Sequence, residues 1–499
     1  MQPAAPPAGS TPGPTQQDLA LQLHWTNRIT WGANAISQAE LKQQGLAKWL
    51  GRQLHPSPKA LPSAAQAQID AMTISRTPAD QLVISLNTQR QAIEKLPDEE
   101  QKNTARQAYR QRLALLAHEA QQRFLFRALY SPNQLQEQLT WFWMNHFNIS
   151  LRKNNLRALV GDYEDRAIRP NALGNFRDLL GAVVHHPAML LYLDNTHNSV
   201  NRINENYARE LLELHTLGVG GGYSQADVQD LARVLTGVNV NIQPLDVPPP
   251  KMRAALQGEY VRRGLFEFHP NRHDYGTKTL LGRPIESRGL AEVDEALDRL
   301  ASAPATARFI SRKLAVYFVA DEPPRALTDR MAATFTRSNG NIAATLQAMF
   351  DSPEFAASLG RKFRDPIHYV IAGVRLAYDD RVALDLNPMM SWLSRMGQPL
   401  YGRETPDGYP LDEAAWSSAG QMNTRFEISQ AIGANGAVLF RVNDKEPLEK
   451  PAFPPLAEST AVRTLQNSLG PNTREALSQA KTPQEWNTLL LASPELMRR

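Results

Sequence analysis

Between Asp194 and Thr236 the chain reads DNTHNSVNRINENYARELLELHTLGVGGGYSQADVQDLARVLT, two helical patterns meeting across a run of glycines. A helix advances about 100° per residue. With Glu205 at zero, Asn206, Arg209, Glu210 and Glu213 fall within one arc of roughly 140°. Ile203, Tyr207, Ala208, Leu211, Leu212 and Leu214 fill the opposite arc, and His215 falls among them. A helix with one apolar face is stable only when that face is covered. The spacing therefore predicts a helical hairpin packed into a larger helical body. Gly218 is placed to take a left-handed cap with Val219 folding back on Leu214. Ser224 and Asp227 form a capping-box pair at the start of the second helix, whose buried face is Val228, Leu231, Ala232 and Leu235. The hairpin is expected to be both the centre of the fold and the site.

The remaining chain repeats the helical period with few interruptions. Apolar spacing predicts helices over 17–25, 36–50, 64–95 and 101–128, then one opened by Ser131-Pro132-Asn133 that carries Leu135, Leu139, Phe142 and His146 on one stripe. Further helices follow over 156–180, broken at Pro170 and Gly174, and again from Leu290 onward. Residues 242–253 are proline-rich and read as a surface loop. Leu265–Phe268 and 277–281 are short extended candidates. The expected fold is all-α, a large orthogonal multi-helix bundle with at most one small β-hairpin excursion. Its divisions are a Pro/Ala-rich tail over 1–16, a helical domain over 17–430, and a C-terminal helical extension over 431–499 packed on it.

Composition removes whole classes of chemistry. With no cysteine among 499 residues there is no disulfide, thiolate metal site or cysteine nucleophile. A net charge of +4 is small for this length, and the basic runs are short, which argues against nucleic acid. No apolar run reaches the ~18 residues a membrane span needs. The first 17 residues lack a basic region followed by an apolar core, yet resemble the spacer behind a cleaved signal peptide. The expectation is a mature exported chain, periplasmic or secreted; an ordinary cytosolic tail is the alternative.

Candidate chemistry gathers at a few places. Glu205, Glu210 and Glu213 are the candidate catalytic carboxylates, with Arg209 beside them. On spacing alone Glu205, Arg209 and Glu213 form an i, i+4, i+8 ion-pair ladder, and that structural reading is favoured. His146, His215, His273 and Asp274 are the ligand types of a divalent zinc, manganese or iron site. No HExxH or facial-triad spacing supports such a site, and core packing is the competing account of His146. Asn204, Trp143, Tyr409 and Trp416 are candidate substrate contacts, the last two on the non-helical TPDGYP loop, which is either a ligand rim or a plug over the core.

Several stretches together resemble the bacterial domain-of-unknown-function family 1800. They are NRITWG at 27–32, WFWMNHF at 141–147, NENYARELLELHTLGVGGGYSQADVQDLARVLTG at 204–237 and HDYGTKTLLG at 273–282. RFISRKLAVYFV at 308–319, NGNI with MFDSPEF at 339–355, KFRDPIHYV at 362–370 and TPDGYP with Trp416 complete the set. The resemblance implies an exported, mainly helical protein, commonly encoded beside a companion of alkaline-phosphatase-like fold, and it carries over no catalytic residues. Three functions follow as expectations. The first is a metal-assisted or carboxylate-based hydrolase or lyase acting on an envelope polysaccharide or peptide. The second is a non-catalytic accessory protein docking the phosphatase-like companion. The third is a haem or other cofactor binder using a histidine such as His146 or His215.

Overall fold

The helix Gln134–His146 buries every residue except Gln136. A helix apolar on one stripe sits at a surface, whereas one buried all round sits at the centre. This helix is therefore the organising element, and the 194–236 hairpin meets its C-terminal end, where His146 lies against His215, instead of forming the centre. The computed structural model describes residues 16–153, 155–378, 381–434, 439–440, 453–466 and 468–499. All but one residue of the expected 1–16 tail lies outside the described residues.

Burial on all sides obliges every polar group of the central helix to find a partner. Gln134 accepts from the Trp31 amide and donates to the carbonyls of Ala128 and Ser131. Glu137 takes a bidentate pair from Arg169 at 2.7 and 3.1 Å. Gln138 donates to the Arg28 carbonyl and accepts from the Arg499 guanidinium at 2.9 Å. Trp143 donates its indole N–H to the Ala172 carbonyl at 2.9 Å and is wholly enclosed. The helix start differs from the local expectation. Asn133 caps nothing with its side chain and binds the Ser57 carbonyl instead, and Gln53 from another helix accepts the Leu135 amide. A tertiary partner has replaced a sequence-local cap.

Among the described residues 63% are helical and 4% are strand, so the fold is mostly helical. The β excursion is two small sheets. Strand β1 (Val238–Val240) and β2 (Val261–Arg263) flank β3 (Phe266–Phe268), all antiparallel, with Val238 and Val261 both opposite Phe268. Beyond them β4 (Thr279–Leu280) pairs with β5 (Arg283–Pro284). β1 continues directly from the hairpin's second helix, Gln225–Val234, so the sheet hangs from the hairpin's end.

One apolar cluster runs from Leu23 to Met497. The 430/431 division falls within the helix Ala419–Ala434, which packs on Pro483–Leu491. The last residues add to the same core: Phe363 bridges Arg498, and the Arg499 amide donates to the Lys362 carbonyl at 2.8 Å.

Removing the largest side chain from the centre tests this hierarchy. Trp143→Ala is expected to cost about 3–5 kcal/mol, the range for deleting an enclosed aromatic, read as a lowered urea midpoint with a two-state fit.

Candidate functional site

The hairpin's first helix is not uniform. Asn206–Glu210 is α-helical, and Leu211–Thr216 widens into a π turn, in which the Leu217 amide reaches back five residues to Leu212 and the Thr216 hydroxyl reaches Leu211. Such turns insert one residue into a helix and recur at functional sites. The insertion shifts the phase of everything after Glu210. Arg209 pairs with Glu205 at 2.9 Å, and Gln225 joins both across the turn at 2.8 and 3.0 Å. Glu213 leaves the row and accepts from the Tyr223 hydroxyl at 3.2 Å. Half of the expected ladder forms, and its other half is redirected by the π turn.

The glycine turn takes its place for a steric reason. Gly218 has φ +84°, and a Cβ there would meet the Phe309 ring at 2.7 Å. Only glycine lets the turn lie on the helix Pro304–Phe318. Ser224 and Asp227 form the expected capping box. Val219 departs from expectation: it is 79% exposed at the tip and does not fold back on Leu214.

Beneath the turn sits a nitrogen-rich centre. His146 places Nε2 3.0 Å from the His215 carbonyl. A carbonyl only accepts, so Nε2 carries the proton, and the neutral ring offers Nδ1 to the Lys313 ammonium at 2.9 Å. Burial and then the nearby Lys313 charge hold the His146 pKa well below the usual histidine value. His215 is fully buried, touches the Phe147 ring at 5.1 Å between centroids, and has no partner for either ring nitrogen among the described residues. Burial, with Lys313 adding, pushes it down to about 3. Lys313 itself keeps some exposed surface, while the enclosure of its ammonium lowers its pKa to about 8 against an opposing pull from Asp407.

The TPDGYP loop covers the end of the central helix. Asn145 accepts the Tyr409 amide at 2.6 Å and donates to the Tyr409 carbonyl at 2.9 Å, and Asn148 donates to the carbonyls of Arg403 and Thr405. Gly408, at φ +79°, lies so near the Asn145 carbonyl that a Cβ would stand 2.2 Å from it. Tyr409 stacks on Trp141 and donates to the Pro399 carbonyl, and Trp416 donates to the Pro410 carbonyl. Of the two alternatives for this loop, its aromatics act as the plug. Their rings are buried, so Tyr409 and Trp416 offer little surface to a ligand, and the enclosed Trp143 offers none. The loop's contribution to a site is Asp407, clasped by Arg403 at 2.8 and 3.0 Å. Burial raises the Asp407 pKa, but the Arg403 and Thr405 hydrogen bonds outweigh it and bring the carboxyl below its ordinary value.

Glu210 experiences the opposite balance. It is half-buried, and burial, Glu213 and Asp407 raise its pKa against the single pull of Arg209. Asp407 acts on Lys313 on one side and on Glu210 on the other, and Glu210 lies in turn beside Glu213 and Tyr223, so these groups form a row from the Pro304–Phe318 helix past the loop to the π turn. This is the candidate site. A cleft of about 240 Å3 beside Asn34, Gln134 and Arg375 lies elsewhere, and its Arg375 and Gln134 are spent on backbone groups of the fold.

The other sequence candidates separate from it. Asn204 spends its polar atoms on Asp194, Asn198 and Asn206 and shapes the entry to the hairpin. His273 lies between the Thr236 carbonyl at 2.8 Å and Glu292 at 3.0 Å, with Lys278 on the other Glu292 oxygen at 2.6 Å. Asp274 is engaged by Arg233 at 2.8 Å. The four expected metal ligands therefore belong to two different networks, and both ring nitrogens of His146 are engaged. Among the described residues no three His, Asp or Glu side chains are arranged to hold a metal ion. Lys313 and Asp407 carry the electrostatics here without having been singled out in the sequence. The one available signal was a lysine next to Arg312 on an apolar-rich helix that also carries Arg308.

The unpartnered His215 gives a pH prediction. Its folded pKa lies below its unfolded value near 6.5, so the unfolded chain binds the extra proton between about 6.5 and 3. Stability contributed by this position is intact above pH 6.5 and falls as the pH drops through that window. His215→Leu is expected to gain on the parent protein by up to ~1.4 kcal/mol per pH unit from pH 6 to 4, measured by urea unfolding at each pH.

No curated protein and no solved structure matches the chain. A family model does match, over residues 24–498, and its description is "Protein of unknown function (DUF1800)". The match takes in the central helix, the hairpin, the loop and the C-terminal helices, and on it the chain belongs to the DUF1800 family.

Proposed function

We propose that the protein is a carboxylate-based hydrolase or lyase of the cell envelope, with Glu210 as general acid and base and Lys313 as the cation facing developing negative charge. The observation that carries this reading is the opposed tuning of two groups on either side of Asp407, which acts on both. Burial and like charge raise the Glu210 carboxyl, and burial lowers the Lys313 ammonium to about 8. A carboxyl and an amine both drawn towards neutral pH suit proton transfer in water near pH 7. Glu213 and Tyr223 form a hydroxyl–carboxylate pair beside them, and Asp407 stays ionised under Arg403. Two carboxyls with different proton affinities are the recurring arrangement of glycan-cleaving sites.

The carboxylate version of the mechanism is preferred to the metal-assisted one because His146, His273 and Asp274 are each committed to protein partners. Elemental analysis of the purified protein, with activity measured before and after chelation, checks this; a stoichiometric metal whose removal abolishes turnover would reinstate the metal.

A second reading rests on Val219, 79% exposed at the tip of the glycine turn. In it the hairpin tip docks an alkaline-phosphatase-like companion and the protein acts as an accessory. Co-purification lost on Val219→Asp, with no turnover of any glycan or peptide, is the result that favours it.

For the enzymatic reading, Glu210→Gln is expected to lower turnover of an envelope polysaccharide or peptide substrate by about 10²–10⁴-fold, as for loss of a general acid or base. Glu205→Gln, outside the cluster, is expected to stay within about threefold. Equal losses in both variants would sink the assignment of Glu210.

A further inference from the structure

Lys153, Lys278 and Lys362 each place their ammonium on a carboxylate: Asp194, Glu292 and Asp321. Lys313 does not. Its ammonium lies on the neutral His146 ring, with the Phe309 face at 5.5 Å and the neutral His215 ring nearby. The carboxylate that acts on it from a distance, Asp407, is already clasped by Arg403. A desolvated ammonium without a counterion is costly to hold, and an anion brought to it regains much of that cost. The residue as a whole is only partly enclosed.

The surroundings narrow the anion. Asp407 lies within electrostatic range of Lys313 and of Glu210, Glu210 within range of Glu213, and the half-buried Tyr223 hydroxyl stands on Glu213. A densely charged phosphate polymer would be repelled by a row of three carboxyls leading away from a single cation. A chain with one carboxylate per unit and many hydroxyl donors suits the set: its carboxylate meets the cation and its hydroxyls donate to the acids. We propose that Lys313 is the carboxylate-binding subsite for a uronate unit of an acidic glycan, with Asp407, and Glu210 and Glu213 beyond it, accepting hydrogen bonds from the hydroxyls of that unit and its neighbours. This rests on the reading of the same cluster as a glycan-cleaving site, and it adds the substrate class. His146 acts as a positioning residue, since its bare Nδ1 fixes where the ammonium points.

The test is calorimetric binding of a galacturonate trimer to the full chain. Its comparators are the same trimer with its carboxyls reduced to alcohols, inorganic phosphate, and a glutamate peptide. Binding of the acidic trimer is expected to exceed that of the reduced trimer by at least about tenfold, to weaken by a similar factor in Lys313→Met, and to be largely restored in Lys313→Arg. Equal binding of acidic and reduced trimers overturns the subsite, as do tighter binding of the peptide or phosphate and no binding of any sugar. The reduced trimer keeps the test decisive even if Lys313→Met fails to fold. Turnover is scored separately. Selective binding of the acidic trimer by a protein that cleaves no glycan would leave the subsite and remove the enzyme. Cleavage of neutral glycans without acidic preference would do the reverse.

Discussion

The structure depends on a helix that has no solvent face. Gln134–His146 lies in the middle of the molecule, and each of its polar side chains must be met by a group from elsewhere or pay for its desolvation. The consequence is long-range specification. Gln138 calls on Arg28 and Arg499, Glu137 on Arg169, Asn145 on Tyr409, and His146 on His215 and Lys313. An apolar helix of the same volume would bury as much surface but would fix none of these registers. The aromatic cluster supplies the bulk of the burial, and the polar groups decide what lies against it.

A second constraint ties both ends of the described chain to that helix. Arg28, Arg364, Arg425 and Arg499 are all buried close together. Arg28 donates to the Ser358 hydroxyl and carbonyl, Arg364 to the Leu496 carbonyl and Asn27, Arg425 to the Arg364 carbonyl, and Arg499 to the Tyr317 carbonyl. Most of these acceptors are backbone oxygens, which satisfy the guanidinium donors without neutralising the charge. Burial and then the neighbouring Arg499 lower the Arg364 pKa to about 9. Asp365 is held low because the pulls of His368 and Arg499 outweigh its burial. The Asn27–Gly32 and Lys362–Val370 stretches, far apart in sequence, meet here.

The site follows from the same arrangement. The π turn rotates Glu213 towards Tyr223, Gly218 lets the turn lie on Phe309, and Gly408 brings the TPDGYP loop against Asn145. Each is a backbone feature set by a close approach. Together they set Asp407 between Lys313 and Glu210, groups about a hundred residues apart in successive pairs.

Much was legible in the residues alone. Apolar spacing at the helical period determined the helices, the absence of cysteine removed thiolate chemistry, and Ser224 with Asp227 marked a helix start, because these are local properties of a chain. The phase of Glu213 was not legible. An inserted residue in a π turn costs hydrogen-bond geometry that only packing repays, so nothing in ELLELHT announces it. The buried state of Trp143 and Tyr409 and the choice of the central helix over the hairpin were likewise decided by tertiary contacts. Lys313 shows the difference most sharply: its sequence neighbourhood makes it an ordinary helix cation, and only the fold encloses its ammonium beside a neutral His146, with no carboxylate in contact among the described residues.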